Sequence, residues 1–335
     1  MKTSKLYDDQ LIVITGAAGF IGSGVVRFLN DRGLFNLLLV DDFGKSEKWK
    51  NLLNKRYYDL ISKETLFDFL KGREQEIEAF IHLGACSSTT ETDGNYLMEN
   101  NYRFSQRLAE YAFNHDHRFI YASSAATYGN GSHGFNDDPS QLDLLTPLNL
   151  YGYSKHTFDL WLHTQGMLDK VVGLKYFNLF GPNEYHKKEM GSMVMHMVDQ
   201  IQRTGKVRLF KSSEPHSYGD GEQRRDFYYV KEAVRMTTFF LDHDICGLFN
   251  VGSGTQRTWN ALAKEVFSTL KKVERIEYIS MPEELIGTYQ NNTCANMDRF
   301  YQAIQKKGLS FENDYTFEGA IQEYVHTYLL KDARW

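Results

Sequence analysis

The chain has 335 residues, enough for about two domains with full cores at roughly 150 residues each, which excludes a disulfide-stapled miniprotein. Hydrophobic residues make up 42% and charged residues 24%, with only 5 Pro, so a disordered chain is excluded as well. The net charge of -5, from 38 Lys+Arg against 43 Asp+Glu, supplies no global basic field for nucleic acid or an anionic membrane, and any phosphate-bearing ligand must be held locally.

Cys86, Cys246 and Cys294 form no CxxC or CxxH pattern, so neither a disulfide framework nor a zinc site is expected, and reduced, cytoplasmic thiols are the simplest reading. The charged start of the chain does not read as a signal peptide. No stretch approaches the roughly 20 apolar residues of a membrane span.

In chain order, Leu11–Thr15, Leu37–Val40, Ala79–Leu83, Phe119–Ser123 and Val171–Phe177 are apolar or β-branched runs of strand length. Between them, Gly22–Asp31, Asn101–His115 and Ser154–Leu168 carry apolar residues at helical spacing. Strand and helix in alternation predict an α/β fold, a doubly wound parallel sheet covered on both faces, with ligands at the carboxyl ends of its strands. After Phe177 the texture changes through Gly181-Pro182, the Met-rich stretch Met190–Met197 and the Gly- and Ser-rich Ser212–Gly221. Gly247–Val251 then reads as a return to the sheet. The expected division is a dinucleotide-binding domain over 1–178 and 224–255, with a smaller, discontinuous α/β substrate domain over 179–223 and 256–335.

Thr15-Gly16-Ala17-Ala18-Gly19-Phe20-Ile21-Gly22 follows the first strand and opens a helix. Glycines at this GxxGxxG spacing permit a tight turn and close backbone approach to a pyrophosphate, which sits on the positive end of the helix. An acid for the adenosine ribose is expected about 20 residues on. Asp41 stands 19 residues after Gly22, directly after the second strand. Asp41 and Asp42 favour NAD, whereas Lys45, Lys48, Lys50 and Lys63 are cations that could pair a 2′-phosphate, so charge alone leaves NAD and NADP open.

Tyr151 has Lys155 four residues on, one helical turn away, behind a strand that ends in Ser123-Ser124. A phenol near pKa 10 is a poor base at neutral pH, and an ammonium beside it stabilises the phenolate. A serine hydroxyl supplies a second hydrogen bond to a reacting alcohol or carbonyl oxygen.

With these three features the chain resembles the extended short-chain dehydrogenase/reductases over essentially its whole length. That likeness implies a Rossmann domain, a small substrate domain and a nucleotide-sugar substrate. Gly84-Ala85-Cys86-Ser87-Ser88-Thr89-Thr90-Glu91, Tyr121–Gly129, Tyr151-Gly152-Tyr153-Ser154-Lys155 and Gly181-Pro182-Asn183-Glu184-Tyr185-His186-Lys187 resemble more closely the family's ADP-heptose 6-epimerase branch. The resemblance implies an isomerase that inverts C6 of ADP-D-glycero-D-manno-heptose for lipopolysaccharide precursor synthesis, using bound NADP, with no metal. It also implies a cytoplasmic homo-oligomer, a pentamer.

By the same resemblance Tyr151 and Lys187 are the two acid/bases, Lys155 supports the tyrosine and the cofactor, and Ser124 holds the reacting oxygen. Two proton donors suit an inversion, because the reacting oxygen must occupy two places. Taken alone, Lys187 reads as a solvated loop lysine; its Glu-Tyr-His-Lys context changes that. The implied cofactor contacts are Gly16, Gly19, Phe20, Ile21, Gly22, Asp41, Asp42, Lys48 and Lys63. They continue with Leu83, Gly84, Ala85, Cys86, Ser87, Asn100, Tyr151, Lys155, Leu179 and Lys187. The implied substrate contacts are Ser124, Asn178, Glu189, His196, Phe210, Lys211, Ser212, Ser213, Arg225 and Tyr289. Arg225 has a rationale of its own, since guanidinium pairs diphosphate oxygens bidentately, whereas His196 reads equally well as a packed histidine. Asp42 in place of the usual asparagine, Glu189 in place of a small polar residue and the long segment Pro215–Gln223 depart from the branch.

Other readings stay open beside this one. A UDP-hexose 4-epimerase shares the fold and most of the motifs. A 4,6-dehydratase would place an Asp-Glu pair after Ser124, where Ala125-Ala126 stand, and a non-catalytic regulator would lack the tyrosine or the lysine.

Overall fold

The structure, a computed structural model, describes residues 10–283 and 289–335. Its strands in chain order are β1 (Leu11–Thr15), β2 (Leu37–Val40), β3 (Asp59–Ile61), β4 (Ile77–His82), β5 (Arg118–Ser124) and β6 (Val172–Tyr176), followed by β7 (Asn178–Phe180), β8 (Val207–Phe210), β9 (Arg224–Tyr229), β10 (Gly247–Val251), β11 (Gln256–Thr258) and β12 (Ile276–Ile279). The helices used below are α1 (Phe20–Asp31), α2 (Leu66–Leu70), α3 (94–114), α4 (Leu150–Thr164), α5 (Met193–Thr204), α6 (Val230–Asp242), α7 (Trp259–Thr269), α8 (Asp298–Gln305) and α9 (Phe317–Glu323).

Seven strands form one parallel sheet in the order β10-β6-β5-β4-β1-β2-β3. The chain builds outward from β1 to β3, then crosses back to lay β4 on the other side of β1. That reversal opens a crevice at the carboxyl ends of β1 and β4. Every residue of β1, β2, β6 and β10 is buried, which is why β1 and β2 read as nearly continuous apolar runs rather than alternating ones, while β6 and β10 each carry one buried polar residue, Lys175 and Asn250. Each such Leu, Ile or Val contributes about 1.5–3 kcal/mol by leaving water.

A three-stranded sheet, β11-β9-β7, and a two-stranded one, β12-β8, lie outside the large sheet. Two buried apolar clusters fill the molecule. The larger runs from Leu11 through Val251 and takes in Phe300 and Ile304 of α8, whereas the smaller gathers Phe180, Met197, Leu209, Phe227, Val266 and Tyr324. The part of the chain after β11 therefore contributes to both cores. Among the described residues no helix is long and apolar enough to cross a membrane.

Two local features differ from the sequence expectation. The run Val171–Phe177 does not remain one strand: Phe177 donates its N–H to Val251 O at 3.0 Å, and beyond it β7 leaves to pair with β9. The edge strand β3 escapes the apolar signal because Asp59 is exposed and Leu60 and Ile61 are only half-buried.

Candidate active site

The crevice at the switch point opens into a cleft of about 800 Å³. One wall is the turn after β1. Gly16 has φ +66°, and a Cβ on it would stand 2.7 Å from the Gly84 backbone; one on Gly22 would stand 2.1 Å from Gly16 O. These two glycines let the turn, the β4 end and α1 close on one another, while Gly19 lines the cleft with the first turn of α1 behind it. The Asp41 carboxylate completes this wall by accepting the Ala18 N–H at 2.8 Å, the Asp42 N–H at 2.8 Å and the Lys48 ammonium at 2.6 Å. Desolvation, then the Glu64 carboxylate, pushes the Asp42 carboxyl above its ordinary range. Lys63 donates to Asn100 Oδ1 at 2.6 Å.

A second wall is the strip 83–88 after β4. Asn101 clamps it: its Oδ1 accepts the Cys86 N–H at 2.9 Å, and its Nδ2 donates to Cys86 O at 2.9 Å and to Ser154 Oγ at 3.0 Å. Asn101 reaches both partners from the widened helical turn Met98–Arg103 in the middle of α3. Beneath lies a buried relay. Thr15 Oγ1 accepts the Gly84 N–H at 3.0 Å and meets His82 Nδ1 at 2.6 Å; His82 Nε2 meets Ser105 Oγ at 2.7 Å, and that hydroxyl donates to Asn101 O at 2.6 Å. The donors run one way only if His82 is neutral with its proton on Nε2, and burial holds its pKa down to about 3.

The chemistry-bearing side chains come from β5, α4 and the loop after β7. Asn149 caps α4 by accepting the Gly152 N–H at 2.8 Å, which sets Tyr151 in the first turn. Burial pushes the Tyr151 phenol up, and its hydrogen bond with the Ser124 hydroxyl partly offsets that. Lys155 donates to Ala122 O at 2.8 Å, and burial lowers its pKa to about 8, so it is still mostly protonated at neutral pH. Farther along the same helix, the fully buried Asp159 accepts from Tyr121 Oη at 2.8 Å, Ser123 Oγ at 2.7 Å and Lys175 Nζ at 2.6 Å, which ties α4 to the strands beneath. Lys187 stands over the Phe20 ring, its Nζ 5.0 Å from the centroid; burial pushes its pKa down, and the Glu184 carboxylate pulls the other way.

Tyr151, Lys155, Ser124 and Lys187 all line this one cleft, as does every residue expected to contact a cofactor, from Gly16 through Leu179. Asn178 lines it too. The other expected substrate contacts lie beyond its walls. Glu189 is exposed, and its carbonyl meets His196 Nε2 at 3.3 Å. Phe210 packs edge-on against Tyr289 at 6.3 Å, and Lys211, Ser212 and Ser213 follow it on the surface side of β8. Arg225 is buried with its guanidinium 4.8 Å from the Tyr289 ring and 5.5 Å from the Trp259 ring. Trp259, which the sequence reading passed over, joins this cluster to the cleft: it lines the cleft and donates to Tyr289 Oη at 2.8 Å. Asn51 was also passed over, and Asn101, Asn183 and Glu184 were given no role of their own, since nothing local shows which distant groups an amide or acid will meet.

The backbone cradle, the Asp41 carboxylate beside it and the flanking cations fit a dinucleotide. The description NAD dependent epimerase/dehydratase family matches residues 12–252. An ADP-L-glycero-D-manno-heptose-6-epimerase of Nitratidesulfovibrio vulgaris is 46% identical over 95% of this chain and 98% of its own. Among solved structures, the Helicobacter pylori ADP-L-glycero-D-manno-heptose-6-epimerase superposes with a TM-score of 0.79 at 25% identity, covering 96% of this chain and 97% of its own. A UDP-N-acetylglucosamine 4-epimerase of Methanobrevibacter ruminantium reaches the same TM-score and identity over 97% and 99%. Fold likeness alone thus does not separate the two chemistries; identity along the whole chain does. With a family description spanning most of its length and relatives alike from end to end, this chain belongs to the NAD-dependent epimerase/dehydratase family.

Proposed function

We propose that the protein inverts C6 of the heptose in ADP-D-glycero-D-manno-heptose to give the L-glycero epimer, a step in supplying heptose to lipopolysaccharide. The observation that carries this reading is that one cleft is lined by two proton-bearing side chains from different segments, Tyr151 and Lys187, together with the Ser124 hydroxyl. A bound nicotinamide supplies the chemistry of hydride removal and return. Ser124 Oγ orients the C6 oxygen beside Tyr151 Oη. In the ligand-free chain the phenol is held protonated, and Lys187, lowered from the usual lysine range, is brought nearer to the working pH of a proton carrier. One of the two exchanges a proton with the oxygen on each side of the inverting carbon. Arg225, buried against aromatic rings, offers charge for the diphosphate.

For the cofactor we favour NADP over NAD. Lys48 and Lys63 both line the cleft, as cations with which a 2′-phosphate can pair. The reading also assigns a cytoplasmic location and a homo-oligomer, pentameric by resemblance. The division into a sheet domain and an inserted substrate domain is proposed on the same likeness.

The test is to incubate the purified protein with ADP-D-glycero-D-manno-heptose and no added cofactor, and to follow the anomeric and C6 signals by NMR. A mixture of C6 epimers is expected. No conversion after adding NADP+ and then NAD+, with turnover of a UDP-hexose instead, would move the assignment to a 4-epimerase.

A further inference from the structure

The loop that carries Lys187 is anchored from an unexpected place. Asn183, fully buried at φ +75°, accepts the Trp335 N–H on Oδ1 at 2.9 Å and donates from Nδ2 to Trp335 O at 3.1 Å and to Ser23 Oγ of α1 at 3.0 Å. Two residues on, Tyr185 Oη donates to Ala333 O at 2.9 Å, and the Arg334 guanidinium lies 4.3 Å above the Tyr185 ring. Lys55 donates to Trp335 O at 2.6 Å, and Asn51 donates to Asn183 O at 2.9 Å and to Ala18 O in the glycine turn at 3.0 Å.

The Trp335 ring is wedged between the helices. A Cβ on Gly24 of α1 would stand 2.8 Å from its Cζ3 and 2.9 Å from Val234 Cγ2 of α6, so only glycine leaves room there for the indole. Lys231 Nζ lies 5.2 Å from the same ring. Trp335 packs against both apolar clusters. The other end of the loop is held separately: Glu184 accepts Ser192 N–H at 2.6 Å, Ser192 Oγ at 2.6 Å and Tyr324 Oη at 2.8 Å.

We propose that residues 333–335 form a latch whose role is to position Lys187 against the reacting carbon. The latch acts by tying Asn183 and Tyr185 to the same helix whose first turn holds the dinucleotide. Lys187 follows within four residues of Asn183, and its N–H bonds Glu184 O at 2.9 Å, so it inherits that registration. Fixing the loop to α1 sets the proton carrier and the cofactor in one frame. None of the three latch residues touches the cleft, so they are positioning residues rather than catalytic ones. The inference rests on the reading of Lys187 as the second proton carrier.

The test uses the full chain with Trp335→Ala and Asn183→Gly, the latter keeping the positive-φ backbone while removing its side-chain bonds. Each purified protein, with cofactor bound, is given either C6 epimer of ADP-heptose, and the first-turnover appearance of reduced nicotinamide is timed. Lys187→Met is run beside them. It is expected to slow oxidation of one epimer far more than the other, and both latch variants are expected to show the same bias, about 100-fold on the same epimer, with cofactor retention unchanged. Trp335→Phe should restore most of the rate.

Equal slowing of both epimers with a lowered Tm would mean that the segment serves stability only. Unchanged rates would also overturn the latch. If Lys187→Met itself shows no bias, the two-carrier reading fails and the latch falls with it. A biased Lys187→Met beside unbiased latch variants overturns the latch alone.

Discussion

Lys48 Nζ and Asp41 Oδ1 stand 2.6 Å apart, and the same carboxylate holds the Ala18 N–H of the glycine turn. The acid proposed for the adenosine ribose is therefore already paired with a cation, one able to turn from the carboxylate to a 2′-phosphate. Losing a charge-assisted hydrogen bond costs roughly 1.5–3 kcal/mol. Lys48→Ala is expected to lower the preference for NADP over NAD by about 10- to 100-fold, and Asp42→Asn to raise it. Titration of the cofactor-stripped protein with each dinucleotide measures both.

Tyr151→Phe and Lys187→Met should each abolish conversion of ADP-D-glycero-D-manno-heptose while the cofactor stays bound. General acid–base groups typically contribute about 100- to 10,000-fold. NMR of the sugar region measures the loss, and full activity in either variant would rule out two proton carriers.

The His82 relay should make stability depend on pH. Its pKa is about 3 in the folded chain against 6.5 in the unfolded one, so between those values only the unfolded chain takes up the proton. Stability is present above pH 6.5 and drains away as the pH falls toward 3. By pH 4.5 the His82 share of the loss is about 3 kcal/mol. Urea unfolding at neutral pH and at pH 4.5 should show a smaller difference in His82→Gln than in the parent.

Lys175 and Asp159 are both fully buried, 2.6 Å apart. Removing only one partner strands the other charge. Lys175→Met is expected to cost about 3–5 kcal/mol, and adding Asp159→Leu to recover much of it. Chemical denaturation of the single and double variants measures the recovery. Because Asp159 also supports the charge on Lys155, the single variants should shift the pH profile of turnover as well.

Residues joined by short stretches of chain were legible beforehand. The Gly16–Gly22 turn, Asp41 at its set distance and the Tyr151–Lys155 pair belong to single strand–turn–helix units, whose geometry follows from local spacing. The strands β1, β2 and β10 appear where their mainly apolar runs stand, because a parallel sheet covered on both faces leaves few polar positions to blur the signal. The outer substrate contacts were drawn from resemblance rather than spacing, and the chain places most of them beyond the cleft wall.

What the sequence by itself determined is the doubly wound sheet, and it marked the glycine turn and the Tyr151–Lys155 pair as candidates, since hydrophobic period and motif spacing act within a few tens of residues. What only the tertiary structure decided is how those parts are held in register. Asn51 meets Asn183 across 132 residues, Glu184 meets Tyr324 across 140, and Asn183 meets Trp335 across 152. A lone amide or a lone tryptophan carries no pattern along the chain. Its meaning arises when packing buries it and its hydrogen-bonding groups must find partners, whichever distant segment the fold has brought alongside.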